Sequence, residues 1–316
     1  MKQMRKIASY ALCASLIWGA GTLLPARAQQ QFSDVEGHWA ETALLTAAEN
    51  DLLQGYNGKL MPDGLLTRGE LAAVITRAVQ AEETADLSAF LDVPATAWYA
   101  ESMSKAYAMG VLQGSGSFLR PADTITRQET FAVVARLLAL EPGNGDELSR
   151  FADGGEVADW AKDDVCAAIH AGLVSGGDTG LKPLDPITRA EFVTVMQLAI
   201  DTYLHAEESA VITQVDGQNV MLTGRNVTLR NVTISGDLYL GDGIEDGSIA
   251  LENVTVKGRL VMRGGGSLLL TGGSQVQGKT VVLSDEQPTV TVDKDVSLAD
   301  AELQGEDITF VCSGDV

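Results

Sequence analysis

Three arginines occupy the same place in a four-residue motif, Thr-Arg-x-Glu, which occurs three times in the first two-thirds of the chain. Thr-x-x-Glu before an apolar run predicts a capping box, in which the threonine hydroxyl accepts the N3 amide and the glutamate accepts the N-cap amide. The threonines are Thr67, Thr126 and Thr188, the arginines are Arg68, Arg127 and Arg189, and the glutamates are Glu70, Glu129 and Glu191. The motif therefore predicts three helix starts.

Capping does not explain the arginine in this motif. A cation in the first turn lies at the positive end of the helix dipole, where it costs about 0.3–1 kcal/mol. A guanidinium matches a carboxylate or a phosphate as a bidentate fork, and the amides of a helix start also favour anions. Two interpretations are open: three well-capped helices and nothing more, or three cations placed to meet an anionic ligand. We expect the second.

Tryptophans and glycines accompany the motif at fixed distances. After residue 28, every tryptophan lies 29 residues before one of these arginines, 23 before a loop proline and 16 before a glycine. The tryptophans are Trp39, Trp98 and Trp160, and the glycines are Gly55, Gly114 and Gly176. Equal offsets in three copies indicate a tandem repeat, whose units must pack together because one helix pair of this size cannot bury its apolar face alone.

Two side chains in each repeat are further candidates for ligand binding. A tryptophan face packs against the apolar face of a sugar ring, and burial in the protein core is the open alternative. Each repeat begins with aromatic-x-Asp, whose carboxylate either caps the opening loop or recognises a sugar hydroxyl. These aspartates are Asp34, Asp92 and Asp153.

Together, aromatic-x-Asp, Trp-Ala or Trp-Tyr-Ala, Gly-aliphatic-aliphatic and Thr-Arg-x-Glu resemble the S-layer homology repeat. The resemblance covers residues 30–80, 88–140 and 149–205. It implies a pseudo-threefold helical module that anchors exported bacterial proteins non-covalently to cell-wall polysaccharide, typically a pyruvylated secondary polymer, through the candidate residues named above. The first repeat departs from the pattern at Asp51 and Gly69, and the third at Asp159-Trp160, so the first or third groove is expected to bind weakly.

The beginning of the sequence predicts export. Residues 1–28 combine a basic start, an apolar stretch and the small-x-small site Ala26-Arg27-Ala28, the pattern of a secretory signal peptide. Their removal takes away four basic and no acidic residues, so the formal net charge changes from -21 to -25. This charge argues against nucleic acid or an anionic membrane as a partner, and no later run is long enough for membrane insertion. We expect the protein in the bacterial cell wall or surface layer.

After Glu208, helical spacing gives way to short alternating apolar segments separated by Gly, Asn and Asp. Residues 231–240 parallel residues 253–262 with an offset of 22. Three short strands in each period predict a parallel β-helix over residues 210–316, and the pattern resembles right-handed β-helices of the pectin-lyase type. Asn231 and Asn253 are predicted at left-handed turns with laddered amides. Residues 211–222 are predicted as a hairpin that turns at Asp216-Gly217.

The sequence contains no recognisable catalytic constellation. The three histidines are scattered, and His-Glu-x-x-His, Gly-x-Ser-x-Gly and phosphate-loop motifs are absent. Four acids near one turn, Asp237, Asp242, Glu245 and Asp246, are expected to be solvated, with a calcium site as the alternative. No catalytic residue, metal or cofactor is therefore predicted.

The sequence favours an α+β multidomain protein, in which an all-α pseudo-threefold repeat module precedes a small all-β parallel solenoid. We expect the repeats to bind a secondary cell-wall polysaccharide and the solenoid to be a surface-layer or adhesive element, with other surface-layer chains as a further candidate partner. The alternative is a wall-anchored polysaccharide lyase or hydrolase, which would need a base on the solenoid, where Lys257, Arg259 and Arg263 are the candidates. A third possibility is a Gram-negative envelope protein that uses such repeats on a peptidoglycan-linked polymer.

Overall fold

The computed structural model describes residues 32–143, 145–174, 180–244, 246–284, 286–305 and 307–313. The predicted signal peptide, Gly176 and Glu245 lie outside these residues. Within the described part of the chain, six α-helices come first: Glu41–Glu49 (α1), Arg68–Val79 (α2), Ala100–Ala108 (α3), Arg127–Leu137 (α4), Lys162–His170 (α5) and Arg189–Ala199 (α6). None of the described helices has both the length and the apolar content of a membrane span.

The β-strands of the described residues all follow α6. The first seven are Thr202–His205 (β1), Val211–Ile212 (β2), Val220–Thr223 (β3), Val227–Arg230 (β4), Thr233–Ile234 (β5), Leu238–Leu240 (β6) and Ser248–Glu252 (β7). The next seven are Thr255–Val256 (β8), Leu260–Met262 (β9), Ser267–Thr271 (β10), Gln275–Leu283 (β11), Thr289–Val292 (β12), Ser297–Gln304 (β13) and Thr309–Cys312 (β14).

The motif threonine begins the second helix of each repeat. The hydroxyl of Thr67 accepts the amide of Glu70 at 3.2 Å, and the carboxylate of Glu70 accepts the amide of Thr67 at 2.9 Å. Thr126 and Thr188 form the same reciprocal pair at the starts of α4 and α6. Two of the four amides that a helix start leaves without an intrahelical partner are satisfied in this way.

The other two amides of each helix start bind the loop of another repeat. At α2, the amide of Arg68 donates to the carbonyl of Asp123 at 3.0 Å, and that of Gly69 donates to the carbonyl of Pro121 at 2.9 Å. Equivalent bonds join α4 to the loop of the third repeat and α6 to the loop of the first. All four amides are therefore satisfied inside the protein, and the helix starts present no amide donor to an anionic ligand.

The three repeats close into a ring. The amide of Leu66 donates to the carbonyl of Ile187, that of Ile187 donates to Ile125, and that of Ile125 donates back to Leu66, each at 3.0 Å. Around this triangle, α2 packs on α3, α4 on α5 and α6 on α1, so each pair joins two repeats. Phe131 and Phe192 are fully buried in the shared core. The expected pseudo-threefold helical module is confirmed.

The second part of the chain is the predicted parallel solenoid, with about five turns. One broad sheet contains β1, β3, β6, β9 and β11 in parallel order, and the other contains β2, β4, β7, β10, β12 and β14. The offset of 22 residues seen in the sequence is strand register, since Val227 pairs with Ile249. Asn231 and Asn253 are left-handed, with φ of 57° and 54°, and Nδ2 of Asn253 donates to Oδ1 of Asn231 at 2.8 Å. The predicted asparagine ladder is thus confirmed.

Two details of the predicted organisation are wrong. The hairpin over residues 211–222 does not form, because β2 and β3 lie in different sheets. The carboxylate of Asp201 accepts the amide of Gln218 at 2.9 Å, which holds this segment at a corner between the sheets. Moreover, β1 pairs in parallel with β3. The solenoid therefore begins at Thr202, inside the span 149–205 that was assigned to the third repeat.

The first sheet of the solenoid packs against the helical module. One residue from each of β1, β3, β6, β9 and β11 points away from the solenoid core and packs against the helical core. We call these five paired residues the outer ladder: Tyr203, Met221, Tyr239, Val261 and Val281. Both faces of the sheet are therefore covered, which explains apolar triplets such as Val220-Met221-Leu222, where alternation was expected.

Two arginines of the solenoid bind the carboxyl ends of helices in the repeat module. Nη1 of Arg263 donates to the carbonyl of Leu137, the last residue of α4, at 2.9 Å. Arg259 donates to the carbonyl of Ala139 and is held by the carboxylate of Asp237 at 2.7 Å. Cations at helix carboxyl ends satisfy carbonyls that lack an intrahelical partner. These contacts and the outer ladder join the two modules through one continuous core.

Candidate functional site

Each motif arginine reaches across to the motif glutamate of another repeat. The ion pairs join Nη1 to Oε1, with Arg68 on Glu129 at 3.0 Å, Arg127 on Glu191 at 2.9 Å and Arg189 on Glu70 at 3.0 Å. They form a closed cycle around the pseudo-threefold axis, which we call the arginine ring. The anion that meets each arginine is therefore, in the first place, a glutamate of the protein itself.

The rest of the guanidinium is also bound inside the protein at Arg68 and Arg189. Nε of Arg68 donates to the carbonyl of Leu119 at 2.9 Å, and Nη2 donates to that of Gln113 at 2.7 Å. Arg68 is 4% exposed and Arg189 is 6% exposed. Burial lowers the pKa of Arg68, and the charge of Glu129 opposes that change. Arginine keeps its charge in proteins, so the arginine ring consists of charged pairs, in which Arg68 and Arg189 are buried and Arg127 keeps 15% of its side chain exposed.

The aspartates that open the repeats shape a loop. The carboxylate of Asp92 accepts the amides of Leu119 at 3.0 Å and of Arg120 at 2.6 Å. Asp34 binds the amides of Leu60 and Met61 in the same way, and Asp153 those of Leu181 and Lys182. The two amides hold the pKa of Asp153 below its ordinary value. The second residue of each amide pair is left-handed, with φ of 53° at Met61, 54° at Arg120 and 51° at Lys182.

The candidate glycines stand where the backbone is too crowded for a side chain. A Cβ on Gly114 would lie 2.7 Å from the carbonyl oxygen of Phe118, and one on Gly55 would lie 2.7 Å from that of Lys59. Their role is to let a tight turn close beside the loop that carries Met61 or Arg120. Gly176, the third of the set, lies outside the described residues.

The tryptophans lie on the surface. Trp39 is 65% exposed, Trp98 is 66% exposed and Trp160 is 55% exposed. Burial in the core, the alternative left open by the sequence, is excluded by these values. Large exposed aromatic faces at three equivalent positions are surfaces on which an apolar ring face can pack.

An open groove with a volume of about 460 Å³ lies between the second and third repeats. We call it the second-repeat groove. Arg68 and Glu129 form its floor, and Trp160 stands at its rim. The turn Gln113–Ser115 and two exposed or half-buried arginines, Arg120 and Arg136, complete its walls. The groove thus joins one member of the arginine ring to an aromatic face and to further cations.

The second-repeat groove contains a partly exposed guanidinium group. Glu129 faces two arginines through the same oxygen, since Nη1 of Arg68 lies 3.0 Å away and Nη2 of Arg120 lies 3.3 Å away. The side chain of Arg120 is 45% exposed, so part of its guanidinium faces solvent. Glu129 thus shares one oxygen between two guanidinium groups, and the charges of Asp123 and Asp92 also act on Arg68. The exposed part of the Arg120 side chain leaves donors for an anion.

The equivalent positions in the other repeats differ. The repeat offsets place Met61 and Lys182 where the second repeat has Arg120. They place Arg77 and Leu198 where the second repeat has Arg136. The second repeat therefore has two arginines at these positions, whereas the first has one arginine beside a methionine and the third has a lysine beside a leucine.

The sequence-based prediction missed the residues that distinguish one groove from the others. It selected positions that are identical in all three repeats, and Arg120, Arg136 and Gln113 vary between repeats. Arg120 could have been found from its position directly before the fixed loop proline. The other two repeats have an apolar and a basic residue there, Met61 and Lys182.

Comparison with known families identifies the three repeats. The model of the S-layer homology domain matches residues 31–72, 89–131 and 150–193. These ranges contain all three capping boxes and stop before the helices that the boxes begin have ended. Domains of this family anchor surface proteins, including S-layer proteins and enzymes, to the cell wall, and proteins that carry them are exported to the cell surface.

Three relatives illustrate the range of proteins that this chain is similar to. The Surface-layer 125 kDa protein of Lysinibacillus sphaericus is 30% identical over 238 residues, which are 73% of this chain and 20% of that protein. Exoglucanase XynX of Acetivibrio thermocellus is 29% identical over 170 residues, 52% of this chain and 16% of the relative. The Cellulosome-anchoring protein of the same species is 30% identical over 145 residues, 44% of this chain and 32% of the relative.

The chain thus spans a third or less of each of these relatives. The three matched ranges of the domain model precede the solenoid. Each of the three repeats of this chain is therefore an S-layer homology domain.

Proposed function

We propose that this protein anchors itself to the bacterial cell wall by binding an acidic secondary polysaccharide, of the pyruvylated kind, in the second-repeat groove. The observation that carries the proposal is the groove itself, in which an exposed tryptophan lies beside two guanidinium groups that share one glutamate oxygen. A carboxylate substituent on a sugar needs a charged donor for the acid and an apolar surface for the ring.

The residues of the second-repeat groove have different roles in binding. Arg120 contacts the anionic substituent, because its guanidinium is partly exposed and is only shared with Glu129. Trp160 packs on the sugar ring, and the turn at Gly114 lets the backbone approach the ligand closely. Arg68 contributes charge from the floor while its donors remain on Glu129 and two carbonyls.

The first and third grooves contribute weaker contacts to the same polymer. Each has an exposed tryptophan beside it by the threefold relation, but the first lacks one of the two arginines of the second repeat and the third lacks both. Several weak sites on one chain that meet one polymer raise the overall affinity through effective concentration.

The solenoid is proposed to be a structural or adhesive element and not an enzyme. Two of the three bases that an enzyme would require, Arg259 and Arg263, are buried against the helical module and bind helix carbonyls. The relatives named as glycan-degrading enzymes share the repeats with this chain over about half of its length, which does not extend an activity to the solenoid.

Sedimentation with purified cell walls tests the anchoring function. The chain is expected to sediment with walls that carry the acidic polysaccharide and to stay in the supernatant after the polysaccharide has been stripped. Equal sedimentation with stripped walls would overturn the proposal. In parallel, incubation of the chain with acidic polysaccharides is expected to release no new reducing ends, and their release would favour the enzyme instead.

A further inference from the structure

A second polar cavity, with a volume of about 280 Å³, lies where the solenoid meets the helical module. We call it the junction cavity. The end of α3 and one side chain of α4 form one wall, and the solenoid forms the other. The residues that line it include Ala108, Arg136, Asp242, Arg263, Ser284 and Glu286.

Two buried, charged side chains on the junction cavity each have one polar atom without a hydrogen-bond partner. These atoms are Oδ1 of Asp242 and Nε of Arg263. They lie 3.9 Å apart, which is too far for a direct hydrogen bond and suits one oxygen atom between them. Burial raises the pKa of Asp242 to about 6, and the charge of Arg263 opposes that rise. Unsatisfied polar groups of this kind are rare in native structures and indicate an occupant.

The chemistry of these two atoms selects the occupant. It must donate a proton to a carboxylate and accept one from a guanidinium at the same place, and a hydroxyl does both. An anionic group would be repelled by Asp242 and by Glu286, Glu83 and Glu82, whose charges all act on Asp242. An ammonium group would be repelled by Arg263. In the described part of the chain, no three His, Cys, Asp or Glu side chains are grouped to hold a metal ion.

We propose that the junction cavity is a second saccharide site, which holds one neutral sugar residue by a hydroxyl between Asp242 and Arg263. The cavity is far larger than the roughly 30 Å³ that one water molecule needs, and it is close to the lower size of ordinary ligand pockets, about 300 Å³. Ser284 and Glu286 offer further polar partners on the solenoid side.

The position of the cavity links it to the wall polymer. Arg136 lines both the second-repeat groove and the junction cavity. A polymer whose acidic residue lies in the groove would present a neutral neighbour to the cavity. This link rests on the proposed function, whereas the binding of a neutral sugar by the cavity is tested without it.

The test uses the full chain and two neutral probes, glucose and N-acetylglucosamine, with saturation-transfer NMR and a titration. We expect at least one probe to bind with a dissociation constant in the millimolar range. Ala108→Leu, which fills the cavity from the end of α3, should weaken that binding at least tenfold. Arg230→Ala, at an exposed residue on the other sheet of the solenoid, should leave it unchanged.

Asp242→Asn is the second variant, because it keeps the side-chain shape and removes the charge that accepts the hydroxyl proton. A several-fold loss of neutral-sugar binding, in a variant whose thermal unfolding curve shows that it is folded at the temperature of the titration, supports the proposal, also if Ala108→Leu does not fold. The proposal is overturned if the wild-type chain binds neither sugar, as a cavity that holds only ordered water requires, or if both variants bind as well as the wild type. Wall sedimentation, measured on the same samples, reports separately on the anchoring function.

Discussion

The arginine ring and the second-repeat groove share a residue, Arg68, but they differ in how the protein uses charge. In the ring, each guanidinium is paired with a glutamate and bound to at least one carbonyl, with Arg68 and Arg189 buried and Arg127 mostly buried, and the ion pair is the same in all three repeats. In the groove, Arg120 is partly exposed and shares its acid with a second arginine, and the equivalent positions differ between repeats.

The difference teaches that a repeated motif and a binding site need not coincide. Residues that are identical in the three repeats close the ring, order the helix starts and shape the loops. Residues that vary decide which groove offers a half-exposed arginine beside the motif glutamate. The predictions below therefore compare variants in the ring with variants in the groove, and they run from the largest expected effect to the smallest.

Breaking the arginine ring should cost the most. Arg68→Ala removes one partner of a buried ion pair, takes the donor from two carbonyls and leaves Glu129 with only the half-exposed Arg120, so we expect a loss of about 3–5 kcal/mol in the free energy of unfolding. Arg120→Ala is the matched control, because it removes a half-exposed arginine from the same glutamate, at a cost of about 1 kcal/mol or less. Urea denaturation of both variants measures the contrast, and equal losses would contradict the distinction between ring and groove.

The exposed aromatic face of the groove should matter next. Trp160→Ala removes the surface on which a sugar ring packs, and we expect wall affinity to fall roughly 30-fold, about 2 kcal/mol, as for an aromatic residue central to an interface. Its unfolding curve should not change, since the side chain is 55% exposed. Trp39→Ala and Trp98→Ala, at the equivalent positions, are expected to lose about threefold or less in the same sedimentation assay. Equal losses in all three would show that the grooves are equivalent.

Asp242, a buried carboxylate whose nearest cation Arg263 lies 3.9 Å away, extends the comparison to the junction cavity. Burial raises the pKa of Asp242 to about 6 in the folded chain, above the ordinary value of about 3.9 expected after unfolding. The folded state then binds the proton more tightly, so the stability due to protonated Asp242 is present below about pH 4 and is lost as the pH rises through 6.

Asp242→Asn should remove this pH dependence. The free energy of unfolding of the wild type, relative to that of the variant, is expected to fall by about 1–2 kcal/mol between pH 4 and pH 7. Denaturation at the two pH values measures the change. A difference between wild type and variant that stays constant with pH would show that Asp242 already has a compensating partner.

The smallest effect should come from building the groove in another repeat. Met61→Arg places a guanidinium at the first-repeat position that matches Arg120, and the backbone is already left-handed there, with φ of 53°. We expect wall affinity to rise about threefold to fivefold, because the new arginine joins Arg189 on Glu70. Met61→Leu serves as the control for a change of side chain without charge, and the same gain in that variant would argue against the role of the cation.

Sequence patterns predicted those features that depend on neighbouring residues or on a regular period. The capping boxes at Thr67, Thr126 and Thr188 are local, and the rungs of the solenoid follow the offset of 22 residues. The partners of the arginines could not be found in this way, because Arg68 meets Glu129 61 residues away and Arg189 meets Glu70 119 residues away. The motif predicts a cation at its position, but the partner of that cation depends on which repeats pack together in the folded ring.

The packing of the solenoid on the helical module is a second feature that the alternation pattern alone did not give. Triplets such as Val220-Met221-Leu222 and Leu260-Val261-Met262 contain no polar residue, whereas the other sheet has Val227-Thr228-Leu229. Uninterrupted triplets are typical of strands that are covered on both faces. This contrast was present in the sequence, but the identity of the covering surface depends on contacts between the two modules.

The central claim is that Arg120, and not the repeated motif arginine, recognises the acidic substituent of the wall polymer. It is tested most directly by measuring the affinity of wild-type chain and Arg120→Met for the polymer before and after its acidic substituents are removed. We predict that removal weakens the wild type about tenfold, as the loss of a charge-assisted hydrogen bond would, and leaves Arg120→Met unchanged at that same weak level. If Arg120→Met still loses affinity on removal of the acid as the wild type does, the groove does not recognise the anion through this residue, and the account is contradicted.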